Sequence, residues 1–227
     1  EATQTISWLK NRKLESMKNN INPQQLREVF EICDDADLYQ KFTDTKLDFL
    51  KPLSCVDSSN LKSVDYIETA PAENVTGSSI MSGFPDIDSS EENKKKATTY
   101  PKGGLIVKNC IVFPRSTSIY TSEGELINDK ASNNLSQQNI IIVEKPIIAH
   151  FSKGLAINKK SIRPTLNLDK AIHLLINNSR GWGHWHYFNL PRIEFILNLK
   201  ISKEVPILID KNLPIQAMQS INLYLPG

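Results

Sequence analysis

Two apolar runs near the carboxyl end of the sequence restrict the fold more than any other feature. Ala171–Ile176 and Val205–Asp210 are short and almost continuously apolar, the pattern of strands buried on both faces of a parallel sheet. A segment with helical spacing follows each run, over residues 181–197 and over Leu213–Leu225. The order strand, helix, strand, helix predicts a partial parallel, Rossmann-like βαβα unit.

Prolines mark where these two helices begin or break. Pro214 suits the first turn of the second helix, because a proline there gives up no helical hydrogen bond. Pro191 falls inside the first helix, so this helix has to kink or to end at Asn189.

Residues 103–150 have the pattern of an antiparallel β meander. Short apolar runs alternate with turn residues, and Ser122–Glu125 predicts a hairpin turn. The predicted strands contain Leu105–Val107, Cys110–Phe113, Ser118–Tyr120, Leu126–Ile127, Ile140–Val143 and Pro146–Ala149. We expect the meander to end near His150 and to form one α/β domain, residues 103–227, with the parallel unit.

The first 102 residues divide into two parts. Residues 1–50 read as a helical accessory segment, in which Pro23 starts a helix and Asp37–Phe49 adds another. Residues 51–102 are rich in Ser, Asp, Asn, Pro and Gly, which predicts a polar linker or surface excursion. Lys94–Lys96 are interpreted as a solvated loop, with peripheral contact to anionic lipid or phosphate as the alternative.

Charge and composition exclude several classes of protein. The 227 residues carry 27 Lys and Arg against 25 Asp and Glu, a net charge of +2 with no basic stripe, which argues against a dedicated nucleic-acid binder. No apolar run approaches the roughly 20 residues of a membrane-spanning helix. The three cysteines, Cys33, Cys55 and Cys110, lie far apart and indicate free thiols in a reduced, cytoplasmic protein.

The densest group of chemically useful side chains lies between Arg180 and Glu194. Gly181 and Gly183 would let a strand-to-helix turn pass close to a ligand. His184 would lie in the first helical turn, at the carboxyl edge of the preceding strand, where open α/β sheets bind ligands. Histidine titrates near neutral pH, so His184 is a candidate base for a hydroxyl group.

Four further side chains are candidates for substrate binding. Trp182 and Trp185 offer flat apolar faces for sugar rings or bases, and Arg180 and Arg192 suit a phosphate or a carboxylate. For Trp185 the alternative is helix-to-sheet core, the more frequent role of an aromatic residue at this spacing. Arg192 has the alternative of pairing with a nearby carboxylate.

No metal site is predicted from the sequence. His184 and His186 diverge on a helix and have no third ligand at hand. Asp86-Ile87-Asp88, the nearest approach to an Asp-x-Asp triplet, falls in the polar segment and is interpreted as surface loop.

A family resemblance is carried by the same region. Gly181–Trp185 is followed by Leu190-Pro191-Arg192, by the Pro206–Ile209 strand and by a helix containing Gln219-Ser220. This pattern resembles glycosyltransferase family 61, in which an Asn-aromatic-aromatic-His-Trp motif precedes a helix bearing Leu-Pro-Arg. The resemblance covers residues 103–227. Gly replaces the motif's Asn, and Phe replaces an acidic residue that is frequent four positions after the His.

The resemblance implies a two-Rossmann, B-type glycosyltransferase of which this chain supplies the acceptor-side half. Such an enzyme transfers a sugar, with inversion and without a metal cofactor, from a nucleotide sugar to a hydroxyl of a glycan, for example a capsule or lipopolysaccharide polysaccharide. His184 would deprotonate or orient the acceptor hydroxyl. Trp182 and Trp185 would wall the sugar, and Arg180 or Arg192 would steady acidic groups.

The family's donor-binding segments have no counterpart in residues 1–227. We therefore expect the nucleotide sugar to bind a second domain and this chain alone to show no measurable transfer. A non-catalytic carbohydrate-binding or scaffolding module is the alternative hypothesis. A hydrolase using His184 lacks a Gly-x-Ser-x-Gly nucleophile elbow in the sequence. The sequence leaves the oligomeric state open.

Overall fold

A computed structural model of the chain describes residues 23–55, 57–71, 74–78, 94–98, 102–128, 145–176, 181–199, 201 and 204–225. Its helices are α1 (Pro23–Ile32), α2 (Ala36–Thr43), α3 (Trp182–Phe188), α4 (Leu190–Asn198) and α5 (Ile215–Tyr224). Its first strands are β1 (Asp48–Leu50), β2 (Val64–Ala70), β3 (Asn74–Ser78), β4 (Lys94–Thr98), β5 (Lys102–Val107) and β6 (Ile111–Val112). The later strands are β7 (Ile119–Tyr120), β8 (Leu126–Ile127), β9 (Ile147–Phe151), β10 (Gly154–Ile157), β11 (Ile172–His173) and β12 (Ile207–Leu208).

The fold is mixed α/β, with antiparallel sheets and one small parallel sheet, as the sequence predicts at this level. Helices α1 and α2 pack on the antiparallel sheet β1–β10–β9 through an aromatic core. Phe30 has no exposed surface, and its ring lies 5.8 Å from that of Tyr39 in an edge-on contact. Full burial of one such side chain stabilises a fold by about 1.5–3 kcal/mol, so these rings hold the helices to the sheet.

The predicted helix over Asp37–Phe49 is wrong in its second half. Helix α2 ends at Thr43 because Asp44 adopts a left-handed conformation, with φ of 52°. The chain then enters β1, where Phe49 pairs with Ala156 of β10. The predicted helix start at Pro23 is confirmed, whereas residues 1–22 lie outside the described residues.

Hydrogen bonds attach α1 and the turn after it to β9 and the turn after that strand, in addition to the aromatic core. The Glu31 carboxylate accepts a hydrogen bond of 3.0 Å from the backbone N–H of His150. Burial raises the pKa of Glu31 and lowers the pKa of His150, because desolvation penalises the charged form of each group. The neighbouring Asp34 accepts from the backbone N–H of Ser152 at 2.6 Å, and hydrogen bonding from the side chain and the backbone of Ser152 lowers the pKa of Asp34.

The described part of residues 51–102 contains β2, β3, β4 and the first residue of β5, although the polar composition predicts a linker or surface excursion. Strand β2 pairs antiparallel with β5, and β3 pairs antiparallel with β4. Lys94–Lys96 lie in β4, so the interpretation of these lysines as a loop is wrong. Backbone pairing suffices to form β4, which has no apolar alternation to reveal it. The Asp86–Asp88 triplet lies outside the described residues.

The antiparallel strands form separate sheets instead of one meander over residues 103–150. Strands β6, β7 and β8 are the meander, and Gly124, with φ of 85°, closes the predicted hairpin turn. Strand β5 pairs with β2 and β9 with β10, so pairing continues past His150 to Ile157. At the β9–β10 turn Gly154 has φ of 129°, which only glycine adopts readily. The predicted strand Ile140–Val143 lies outside the described residues.

The predicted strand–helix–strand–helix order is confirmed in the last quarter of the chain. Strands β11 and β12 pair in parallel, with Ile172 beside Ile207. Each strand is two residues long and half-buried, so the prediction of longer strands buried on both faces is wrong. Leu174 extends the pairing by donating its N–H to the Leu208 carbonyl at 3.0 Å. The first helix is broken at Asn189 into α3 and α4, as Pro191 requires. The buried core of this unit comprises Leu174, Trp185, Ile193, Ile196, Ala217 and Ile221.

A ring on α4 connects this unit to the β2–β5 sheet. Phe195 lies against the backbone of β5 at Gly104, where a Cβ atom would be only 2.5 Å from the Cε1 atom of the ring. Any side chain at position 104 would therefore displace the Phe195 ring.

We expect Gly104→Ala to lower the free energy of unfolding by about 1–3 kcal/mol, because overpacking forces the Phe195 ring out of its position. The matched control is Gly183→Ala: no atom lies within 4 Å of a Cβ placed at Gly183, and alanine favours a helix. Thermal unfolding of both variants measures the difference. In a double-mutant cycle, Phe195→Leu should recover part of the loss. Additive losses would show that the ring contact is not the cause.

Candidate functional site

The candidate site lies where the chain leaves the parallel sheet and enters α3. After β11 the residues Leu174, Leu175 and Ile176 are buried. Gly181 then caps α3 in an extended conformation, and His184 lies in the first turn of the helix. This order places the start of α3 after the carboxyl end of β11, as the sequence predicts. In open α/β sheets ligands bind at this edge.

An exposed aromatic pair occupies the start of α3. Trp182 is 42% exposed, and its ring centroid lies 5.8 Å from that of His186, with the two planes inclined by 55°. The spacing of four residues brings both rings to the same face of the helix. Gly183 lies between them in sequence and leaves open space at its Cα. We call Trp182, Gly183 and His186 the aromatic ledge.

Trp185 has a structural position instead. It has no exposed surface, and its indole N–H donates to the hydroxyl oxygen of Ser220 at 2.9 Å. The Ser220 hydroxyl in turn donates to the Ala217 carbonyl at 2.7 Å. Trp185 therefore joins α3 to α5 as part of the core, the alternative that the sequence leaves open. Its faces are packed in the folded state and present no surface to a sugar ring.

Asn189 holds the break between α3 and α4 in place. Its side chain is fully buried, and its amide group donates to the Leu174 carbonyl at 3.2 Å. Its amide oxygen accepts from the guanidinium group of Arg192 over a long 3.5 Å. Sequence reasoning identifies Asn189 only as a helix end. The bond to Leu174 links the site helix directly to β11.

A second buried polar residue, Asp210, lies after the carboxyl end of β12. Its side chain is 5% exposed, and its two carboxylate oxygens accept from the backbone N–H groups of Arg115 at 2.6 Å and of Ile176 at 3.3 Å. Arg115 has a left-handed backbone, with φ of 58°. Asp210 therefore joins the loop after β6 to the point where the chain leaves β11. No local sequence pattern signals this role, because the bonded residues lie 95 and 34 positions away from Asp210.

The structure brings together part of the predicted constellation. Trp182, Trp185 and Arg192 lie on α3 and α4, and the backbone of His184 lies between the two tryptophans. Arg192 is half-buried and is oriented in part by Asn189. Arg180 lies outside the described residues.

The described residues allow stacking and hydrogen bonding at this edge. Within the ranges that the structure describes, no three His, Cys, Asp or Glu side chains lie close enough to hold a metal ion. None of the described helices combines the length and the apolar character that crossing a membrane requires. Comparisons of the chain with protein-family models, with curated proteins and with solved structures found no match.

Proposed function

We propose that this chain is the acceptor-side part of a cytoplasmic, inverting glycosyltransferase that extends a polysaccharide or other glycan. In this proposal the β11–α3–α4–β12–α5 unit belongs to a Rossmann-like domain. The nucleotide sugar binds a second domain, and no metal takes part. The reaction class comes from the resemblance of the Gly181–Trp185 and Leu190–Arg192 segments to glycosyltransferase family 61.

The aromatic ledge is the observation that carries the proposal. An exposed indole in the first turn of the helix that follows β11 is available for contact with the apolar face of a sugar ring, and its N–H can meet a hydroxyl group. Next to it, a Cβ atom placed at Gly183 would meet no atom within 4 Å, so the helix surface at this position is open. An exposed tryptophan held by a second ring also loses little conformational freedom when a ligand binds, which favours affinity.

His184 would supply the base for the transfer. As the acceptor oxygen attacks the anomeric carbon, His184 takes the hydroxyl proton, and the bond between this carbon and the nucleotide phosphate breaks. The nucleoside diphosphate leaves with the electron pair, and attack from the opposite face inverts the anomeric configuration. Arg192 and Arg180 would lie near the negative charge that develops on the phosphate or on an acidic acceptor.

Glycan binding by the chain tests the role of the ledge. We expect Trp182→Ala to weaken binding of an acceptor oligosaccharide about tenfold, because the stacking surface is lost. A glycan array identifies the oligosaccharide, and calorimetric titration measures its dissociation constant. Phe188→Ala is the matched control: Phe188 is a 47% exposed aromatic residue on the same helix but outside the ledge. Equal losses in both variants, or no binding by the unaltered chain, would contradict the proposal.

The alternative is a non-catalytic carbohydrate-binding or scaffolding module. It is supported by the aromatic ledge, because a sugar ring can stack on Trp182 without any catalytic base. The two functions differ in turnover. An enzyme releases a nucleoside diphosphate when the protein with both domains is mixed with nucleotide sugars and the bound glycan. A module binds the glycan with the same dependence on Trp182 and releases none.

A further inference from the structure

The connector between β10 and β11, residues 159–171, has an unusual surface. It begins with a 3₁₀ turn, Lys159–Ser161, in which the Asn158 side chain accepts from the backbone N–H of Lys160 at 3.1 Å. Ile162 is half-buried, and every residue from 163 to 171 is exposed. The connector therefore passes over the surface without contributing to a core.

The first part of the connector is uniformly basic. Lys159, Lys160 and Arg163 are all exposed, and residues 158–168 include no acidic side chain. No ion pair between described residues involves Lys159, Lys160 or Arg163, whereas Arg27, Lys108 and Lys153 form ion pairs elsewhere. The three charges of the connector are thus available to an external anion.

The second part of the connector exposes apolar surface. Leu166 is 70% exposed and Leu168 is 45% exposed, only a few residues after the basic group. Removing a leucine side chain from water is favourable, so two exposed leucines on one short segment offer apolar surface that a partner can bury. An extended chain rises about 3.3 Å per residue, which keeps Leu168 within roughly 17 Å of Arg163 and within roughly 30 Å of Lys159.

We propose that the connector docks this protein on an anionic lipid bilayer. Lys159, Lys160 and Arg163 contact the lipid headgroups, while Leu166 and Leu168 enter the boundary between headgroups and acyl chains. A lipid bilayer offers negative charge for the three cations and an apolar environment for the two leucines. A nucleic acid or another soluble polyanion would bind the cations but would leave the leucines in water. The proposal concerns a surface distinct from the aromatic ledge and does not depend on sugar transfer.

Co-sedimentation of the full chain with vesicles tests this proposal. We expect binding to vesicles of 70% phosphatidylcholine and 30% phosphatidylserine, and little binding to phosphatidylcholine alone. Each cation near an anionic surface increases the binding constant about fivefold. The triple variant Lys159→Gln, Lys160→Gln and Arg163→Gln should therefore weaken vesicle binding about 100-fold. Leu166→Ser with Leu168→Ser should weaken it about tenfold. Raising the salt from 0.05 to 0.5 M should release the protein.

The matched control carries Lys41→Gln, Lys46→Gln and Lys51→Gln, which remove three exposed charges elsewhere and alter the net charge equally. Circular dichroism confirms that each variant is folded. Vesicle binding that is unchanged in the connector variants, or lost equally in the control, overturns the proposal. So does binding to heparin that depends on the connector cations but not on the leucines, because that result identifies a soluble polyanion as the partner.

Discussion

Replacing His184 with alanine should lower the rate of sugar transfer by about 10²–10⁴-fold, the usual share of general acid–base catalysis. The loss should appear in kcat, because the base acts only as the acceptor hydroxyl attacks. The measurement is the initial rate of nucleoside diphosphate release by the protein with both domains. Thermal unfolding of the same variant shows whether the loss reflects catalysis or folding.

Two further variants separate a base from a structural histidine. His186→Ala changes the ledge two positions away, so it should raise KM for the acceptor and leave kcat nearly unchanged. His184→Gln keeps a side chain of similar length that can form hydrogen bonds but cannot accept and hold a proton at neutral pH. Near-normal turnover by folded His184→Gln protein would exclude His184 as the base and assign it to holding the turn.

The parallel unit could be predicted from the sequence because its strands have a strong signal. Ala171–Ile176 is apolar at every position except His173, a run typical of a strand in a parallel sheet. The run overstates the length and the burial of β11, which has two half-buried residues. Strand β4 gives the opposite case, since Lys94–Thr98 has the composition of a solvated loop and is ordered by backbone pairing with β3. The end of α2 also escaped prediction, because it depends on the left-handed conformation of Asp44.

The sequence predicts where the candidate site lies, but not which of its side chains are exposed or which distant residues hold them. Trp182 and Trp185 belong to the same motif, yet one is exposed and the other has no exposed surface. The difference arises from α5, whose Ser220 meets the Trp185 indole, and this contact joins residues 35 positions apart. The polar bonds of Asp210 span 95 and 34 positions in sequence, so no local pattern could indicate them.

Asp210→Ala should lower the free energy of unfolding by about 1–4 kcal/mol, because it leaves the buried Ile176 N–H and the partly buried Arg115 N–H without an acceptor, at a cost of about 1–3 kcal/mol for the buried group and less for the other. The shorter of the two bonds also holds Arg115 in its left-handed conformation, which is unfavourable for a residue with a side chain. Chemical denaturation measures the loss. Asp169→Ala, a change to an exposed aspartate, should alter the stability by less than about 0.5 kcal/mol.

Asp210→Asn distinguishes the hydrogen bonds from the packing of the side chain. Asparagine has nearly the same shape, but it offers one oxygen acceptor and one amide donor. The oxygen can accept from the Arg115 N–H, while the amide group then faces the Ile176 N–H, donor against donor. The variant should therefore lose about half as much stability as Asp210→Ala. Unchanged stability of Asp210→Asn would show that the packing of the side chain, and not its two accepted hydrogen bonds, stabilises the protein at this position. The carboxylate would then have no part in fixing the path from β11 to α3.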